Sequence, residues 1–179
     1  MASLIPSGSA SGTGSMTLAA PVTNSNQTAT LPDATGTVSV SGNTPVFGVY
    51  LGLSQNVTSG VTTKIQFNTE EFDTANAFDS TTNYRFTPQV AGYYQLNACM
   101  TPNGVAITGL TVYVYKNGSE YKRIANLGTG NPINGSCTVY LNGSTDYIEF
   151  YGNVSASSTP QFYLGQNYTY ASGFLVRTS

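Results

Sequence analysis

The chain has 179 residues, a formal net charge of −2 and a charged fraction of 8%, against ~25% in an ordinary soluble domain. That length fits one domain with a short appendage, and a domain of this size buries ~70% of its unfolded surface without a metal or disulfide staple. So few cations argue against nucleic-acid binding, whereas 40% hydrophobic and 12% aromatic residues argue against disorder.

Residues 1–44 differ in character from the rest. "MASLIPSGSASGTGSM" has no positively charged n-region and no apolar h-region, so it does not read as a secretory signal. No stretch of the sequence is long and apolar enough to span a bilayer, and synthesis and folding in a cytoplasm are expected. Further on, "MTLAAPVTNSNQTATLPDATGTVSVSG" alternates weakly around a Pro32-Asp33 turn, and no aromatic residue precedes Phe47. Such a segment cannot build a core; it needs an outside surface to bury Leu18, Leu31, Val38 and Val40. It reads as a docking arm, a Gly/Ser-rich linker plus a weak β-hairpin, with the boundary near Gly42–Pro45 and the head domain at 45–179.

Beyond the arm, helical periodicity is absent and period-2 alternation recurs. It predicts strands at Val46–Leu53, Thr63–Asn68, Tyr84–Thr87, Tyr93–Met100, Leu110–Lys116, Ser119–Ala125, Cys137–Leu141, Tyr147–Tyr151, Gln161–Gln166 and Tyr170–Val176. Many short strands separated by turns mean a sandwich or barrel. Asn-Gly, the strongest short-range hairpin signal because both residues tolerate positive φ, occurs at Asn103-Gly104, Asn117-Gly118, Asn134-Gly135 and Asn142-Gly143. Pro88, which cannot donate to a ladder, marks the end of one strand before Gly92 opens the next.

Side-chain alternation assigns faces. With Leu96 and Ala98 inward, Cys99 points the other way, while Cys137, Val139 and Leu141 share an inward face; the two cysteines are therefore expected as unpaired thiols, without metal-ligand spacing. On the strand from Leu110 to Lys116 the aliphatic positions point inward, leaving Tyr113 and Tyr115 outward. Outward tyrosine on a neutral surface suits recognition of protein or sugar; the competing reading is that these rings serve subunit contacts or lean over neighbouring Thr side chains.

Catalytic patterns are sparse. There is no histidine, which excludes Ser-His-Asp and Cys-His arrangements. Glu70, Glu71, Asp73 and Asp79 crowd one segment. That segment reads as a solvated acidic loop, and as a candidate calcium site because several carboxylates in an oxygen-rich loop suit that ion; nothing marks a glycosidase cleft. "GTGNPING" (128–135) is not followed by a helix or a Lys and makes a poor phosphate loop. No enzyme activity and no cofactor are expected.

The run Phe67, Asp73, Phe78, Phe86, Gly92, Tyr94, Leu96 resembles the spacing motif of the globular heads of the complement recognition subunit, grouped with the tumour-necrosis-factor jelly rolls. Seven residues separate Phe78 from Phe86 where the family has six; Leu96 stands where Phe is usual, and Ala98 replaces an aromatic. "VYVYKNGSE" (112–120), "VYLNGSTDYIEF" (139–150) and "ASGFLVRTS" (171–179) extend the resemblance over about residues 46–179. It implies an all-β, ten-stranded antiparallel jelly roll assembling as a threefold trimer; low surface charge and outward-facing residues make Tyr93, Gln95 and Asn97 the candidates near the axis. No collagen-like Gly-X-Y stalk precedes the head. The arm stretch "NSNQTATLPDATGTV" resembles a recurrent segment of bacteriophage virion and tail proteins. Together the two resemblances imply a virion component made in a bacterial cytoplasm: a trimeric capsid decoration or head-fibre protein docked on a major capsid or tail protein through residues 1–44. The alternative is the tip of a tail fibre, recognising a host surface glycan or protein.

Overall fold

A computed structural model of the chain describes residues 44–104, 106–128 and 132–179. The arm, but for Thr44, lies outside the described residues, and so does the strand pattern expected within it.

Every regular element among the described residues is a β-strand, and all the pairings are antiparallel. The first sheet runs in the order β11 (Ile133–Leu141), β7 (Gly92–Met100), β14 (Tyr170–Thr178), β1 (Val46–Tyr50), β4 (Thr69–Asp73). The second runs β10 (Ser119–Leu127), β9 (Ile107–Lys116), β12 (Ile148–Ala156), β6 (Arg85–Phe86), β5 (Phe78–Asp79), with β3 (Thr63–Lys64) also pairing β12. A small third sheet of β2 (Gln55–Asn56), β13 (Gln161–Phe162) and β8 (Pro102–Asn103) closes one end.

The sandwich core forms between the two large sheets from the inward sets that alternation predicted. Phe47, Phe67, Phe86, Tyr94, Leu96, Val112, Val114 and Phe150 are all fully or almost fully buried. Phe47 stacks on Phe86 with centroids 4.4 Å apart, and Tyr94 meets Phe86 edge-on at 5.5 Å. Close packing dictates Gly173 in this layer: a Cβ there would stand 2.6 Å from the Phe47 ring.

The corner after Pro88 is pinned by chemistry that strand patterning did not show. β6 stops at Phe86, Thr87 N–H bonds the Ala77 carbonyl, and β7 begins at Gly92. Buried Tyr94 reaches back and donates its hydroxyl to the Val90 carbonyl at 2.7 Å. A Cβ at Gly92 would meet the Arg177 carbonyl at 2.3 Å, so glycine lets β7 pass beneath the end of β14.

Two expectations need correction. Ladder pairing gives eight strands of five or more residues and six two-residue strands among the described residues, rather than ten. Each of the ten expected strands has a counterpart, and the additions are β2, β4, β5 and β8. The longest of these, β4, has a sequence, TEEFD, that carries three carboxylates and looks like loop; as an edge strand it exposes most of its length. The Asn-Gly signal also holds unevenly. Asn117 (φ 53°) and Gly118 (φ 77°) make the two-residue hairpin between β9 and β10. Asn134-Gly135 instead lies inside β11, where a Cβ on Gly135 would stand 2.2 Å from the Ile124 carbonyl of β10. Glycine there serves close approach of two edge strands, not a turn. Asn103 ends β8, and Asn142 opens a longer loop in which its Oδ1 accepts from the N–H groups of Ser144, Thr145 and Asp146.

Candidate functional site

The acidic segment is structural. Asp73 Oδ2 accepts the Phe78 N–H at 2.7 Å and Oδ1 the Ala75 N–H, which closes the turn from β4 to β5. Asp79 accepts backbone N–H groups from Thr81, Thr82 and Asn83. Those bonds hold its carboxyl far below the usual carboxylate range, the Thr82 amide contributing most. Glu70 accepts from the Ser80 hydroxyl at 2.6 Å. Glu70 and Glu71 are neighbours on a strand, where successive side chains diverge. Among the described residues no three acidic, cysteine or histidine side chains converge as a metal cluster, and of the calcium candidates Glu70, Glu71, Asp73 and Asp79, both aspartates are engaged by backbone N–H groups.

Titration shifts elsewhere move groups away from neutrality. Burial pushes both thiols up; Cys99 is buried on the outer side of the first sheet and Cys137 packs against the core from the inner side, both unpaired as expected. Tyr94 is pushed up to about 12 by burial, and Tyr115, Tyr151 and Tyr170 are also raised. A general base works best with a pKa near the operating pH, and none of these shifts brings a group there. Raised thiol pKa values also make poor nucleophiles.

Tyr113 and Tyr115 face outward from β9 as expected, but they are not equally available. Tyr115 stacks on Tyr151 at 3.9 Å, and Tyr113 meets Tyr115 edge-on at 6.4 Å with the Arg123 guanidinium 5.4 Å from its ring centroid. Tyr113 keeps only 8% of its surface and is buried. Beside this stack Lys64 pairs with buried Glu149, and the strands supply each other's partners. The reading in which the rings lean over neighbours holds for Tyr113; the neighbours are aromatic and cationic rather than Thr.

The outer face of the first sheet is open and aromatic. Tyr93, Gln95 and Asn97 lie along its outer side on β7, between β11 and β14. Tyr93 is 48% exposed and tilts against Tyr140 at 5.4 Å; Phe174 is 45% exposed in the row of Gln95. Phe72 from β4 lies over Gly48, where a Cβ would stand 2.8 Å from the ring. β11, β7 and β1 contain no charged residue and β14 only Arg177. Polar contacts are few; the Thr138 hydroxyl donates to Gln95 Oε1 at 3.0 Å. A shallow depression of about 290 Å³ sits on this face, lined by Asn97, Asn134, Ser136 and Tyr170 among others. Sequence reasoning found the β7 residues and missed Phe72, Tyr140 and Phe174; the Tyr170-Ser172-Phe174 alternation was the available signal.

No protein-family model and no curated protein matches the chain. Similar solved structures exist. Crystal structures of murine APRIL at pH 8.0 and pH 8.5 superpose with TM-scores of 0.58 and 0.56 at 11% and 12% identity, each covering 74% of this chain and 99% of the other. PRD1 vertex protein P5 gives a TM-score of 0.53 at 13% identity, covering 73% of this chain and 95% of the other. At such identity the likeness is one of fold: the chain is an all-β, tumour-necrosis-factor-like jelly roll.

Proposed function

We propose that the chain is a non-enzymatic structural protein of a phage particle: a homotrimeric capsid decoration or head-fibre protein, docked through residues 1–44 on a capsid or tail protein. The observation that carries the assembly is the outer face of the first sheet. A contiguous, nearly uncharged aromatic surface of this kind marks a protein interface, and burial between like copies would cover Tyr93, Tyr140 and Phe174 around Gln95. The fold likeness to the PRD1 vertex protein and the virion-like arm stretch support the particle setting.

Multi-angle light scattering of the purified protein tests the assembly. A trimer at micromolar concentration is expected. Gln95→Glu brings three like charges together in a partly dry contact, which is costly, and should shift the population to monomer. A wild-type monomer refutes the interface. Deleting residues 1–44 tests the docking: a folded trimer that no longer attaches to particles is expected, and a truncated chain that still attaches overturns the arm's role.

The second reading, a receptor-binding tip, is favoured by the aromatic loops at the end of the sandwich opposite Thr44. Particles lacking the protein separate the two. Decoration predicts normal host adsorption with lost resistance to heat or osmotic shock; a tip predicts lost adsorption with a robust shell.

A further inference from the structure

Strand direction gives the head two unlike poles. β1 starts at Val46 and β14 ends at Thr178 beside it, so the described chain begins and ends at one pole. At the other pole β1 ends, β14 begins, and the small sheet of β2, β13 and β8 closes the sandwich. The described residues of that pole, 51–62, 101–104, 106, 128, 132 and 157–169, include no Asp, Glu, Lys or Arg. Most of the chain's charges lie on the strands and at the opposite pole.

This neutral pole carries a built aromatic platform. Leu53 is 70% exposed, Tyr168 46% and Tyr163 37%, with exposed Leu164 between the last two. Tyr163 and Tyr168 meet edge-on with centroids 5.0 Å apart. The two loops that hold them are tied together: Leu51 N–H bonds the Thr169 carbonyl at 3.0 Å, Gly165 N–H the Leu51 carbonyl at 2.7 Å, and Leu164 N–H the Ser54 hydroxyl at 3.2 Å. The Thr101 hydroxyl donates to the Tyr168 carbonyl at 2.7 Å and ties in a third segment. Gly165 turns at φ 109°, a conformation that favours glycine, and a Cβ there would stand 3.3 Å from the Tyr168 ring. A site held this way loses little freedom on binding.

We infer that this platform is a binding site for a neutral glycan. The C–H face of a pyranose packs on an exposed tyrosine ring, whose hydroxyl adds a polar handle, and the exposed amides of Gln166 and Asn167 border the rings with donors and acceptors for sugar hydroxyls. A protein is the other class of occupant, and failure of every neutral oligosaccharide to bind is the outcome that favours it. Sialylated or phosphorylated sugars would find no cation. The inference deepens the receptor-binding reading, which rests on the same loops, but needs neither the particle nor the trimer, since the platform lies within one chain.

The test uses the purified full-length chain on an array of neutral, sialylated and phosphorylated oligosaccharides. Binding to at least one neutral oligosaccharide is expected, insensitive to salt between 50 and 500 mM (roughly a threefold change in Debye length). Tyr163→Ala combined with Tyr168→Ala should weaken it by about tenfold or more, while Tyr121→Ala on β10 leaves it unchanged. Should the double tyrosine variant fail to fold, Gln166→Ala combined with Asn167→Ala carries the same expectation. The inference is overturned if no neutral oligosaccharide binds, if binding survives both double variants, if it depends on sialic acid or phosphate, or if Tyr115→Ala abolishes it while the Tyr163/Tyr168 variant does not.

Discussion

The hydroxyl of Tyr94 offers a clean perturbation of the corner that joins the two sheets. Tyr94→Phe keeps the ring against Phe86 and removes only the 2.7 Å bond to the Val90 carbonyl. The side chain is fully buried, so water does not easily replace the lost donor. The net loss for such a bond is about 1–2 kcal/mol, counting the acceptor left without its partner. For a domain of this size that lowers the melting midpoint by about 3–8 °C. The same substitution has a pH signature. Tyr94 titrates near 12 in the folded protein against an ordinary value of 10.0. Between those values the folded chain holds a proton that the unfolded chain has released, so stability falls as pH rises through that window. Thermal melts of both proteins from pH 7 to pH 12 should therefore show the variant less stable at pH 7 and its deficit shrinking above pH 10. A variant equal to wild type at pH 7 refutes the structural role of the bond. A loss as large as that of a whole aromatic side chain, about 3–5 kcal/mol, refutes the premise that the ring packing is kept.

Other expectations follow from equally local features. Asp146 bonds Lys116 at 2.9 Å and the Asn117 amide at 2.8 Å, and these partners, Lys116 first, hold its carboxyl below the usual range. Its contribution is present above the ordinary carboxylate pKa and is lost as pH falls through its lowered folded value; Asp146→Ala should cost about 2 kcal/mol in urea melts at pH 7, and the cost should shrink as the pH is lowered below about 4. Gly135→Ala forces a methyl against the Ile124 carbonyl and should destabilise by about 1–3 kcal/mol, whereas Gly128→Ala, with open space around it, should change stability by less than about 1 kcal/mol; equal losses would show that the two edge strands do not approach as described. Thiol titration of the denatured, unreduced protein should count two free thiols and the native protein should react slowly, since burial raises both; a count of none would mean that the register of β7 or β11 is wrong.

What the sequence made legible was whatever alternation controls. Leu96, Val112 and Val114 announced inward faces because sheets bury every second residue, and the motif from Phe67 to Leu96 falls on core positions, apart from the turn carboxylate of Asp73. Composition misled at β4, where three carboxylates within five residues look like loop although edge position tolerates them. Tyr113 pointed outward as read, yet its burial depends on Arg123, ten residues away and across a hairpin, which periodicity along one strand cannot register. The platform of Leu53, Tyr163 and Tyr168 was illegible for a similar reason: its loops have no period, and the bonds from Leu51 to Thr169 and Gly165 join segments more than a hundred residues apart.

The pairing of β1 with β14 also decides how the head responds to force. Both strands present their terminal ends at one pole, so tension between the two chain ends peels their hydrogen bonds one after another, as a zipper opens. Tension between the start of β1 and the platform at the far pole runs along the strands instead. It shears β1 against β14 and β4 together, loading the ladder from Val46↔Phe174 to Tyr50↔Tyr170 and the neighbouring one with β4 at the same moment. A head gripped at these two poles is therefore mechanically strong along the axis that joins them and weak between its own ends.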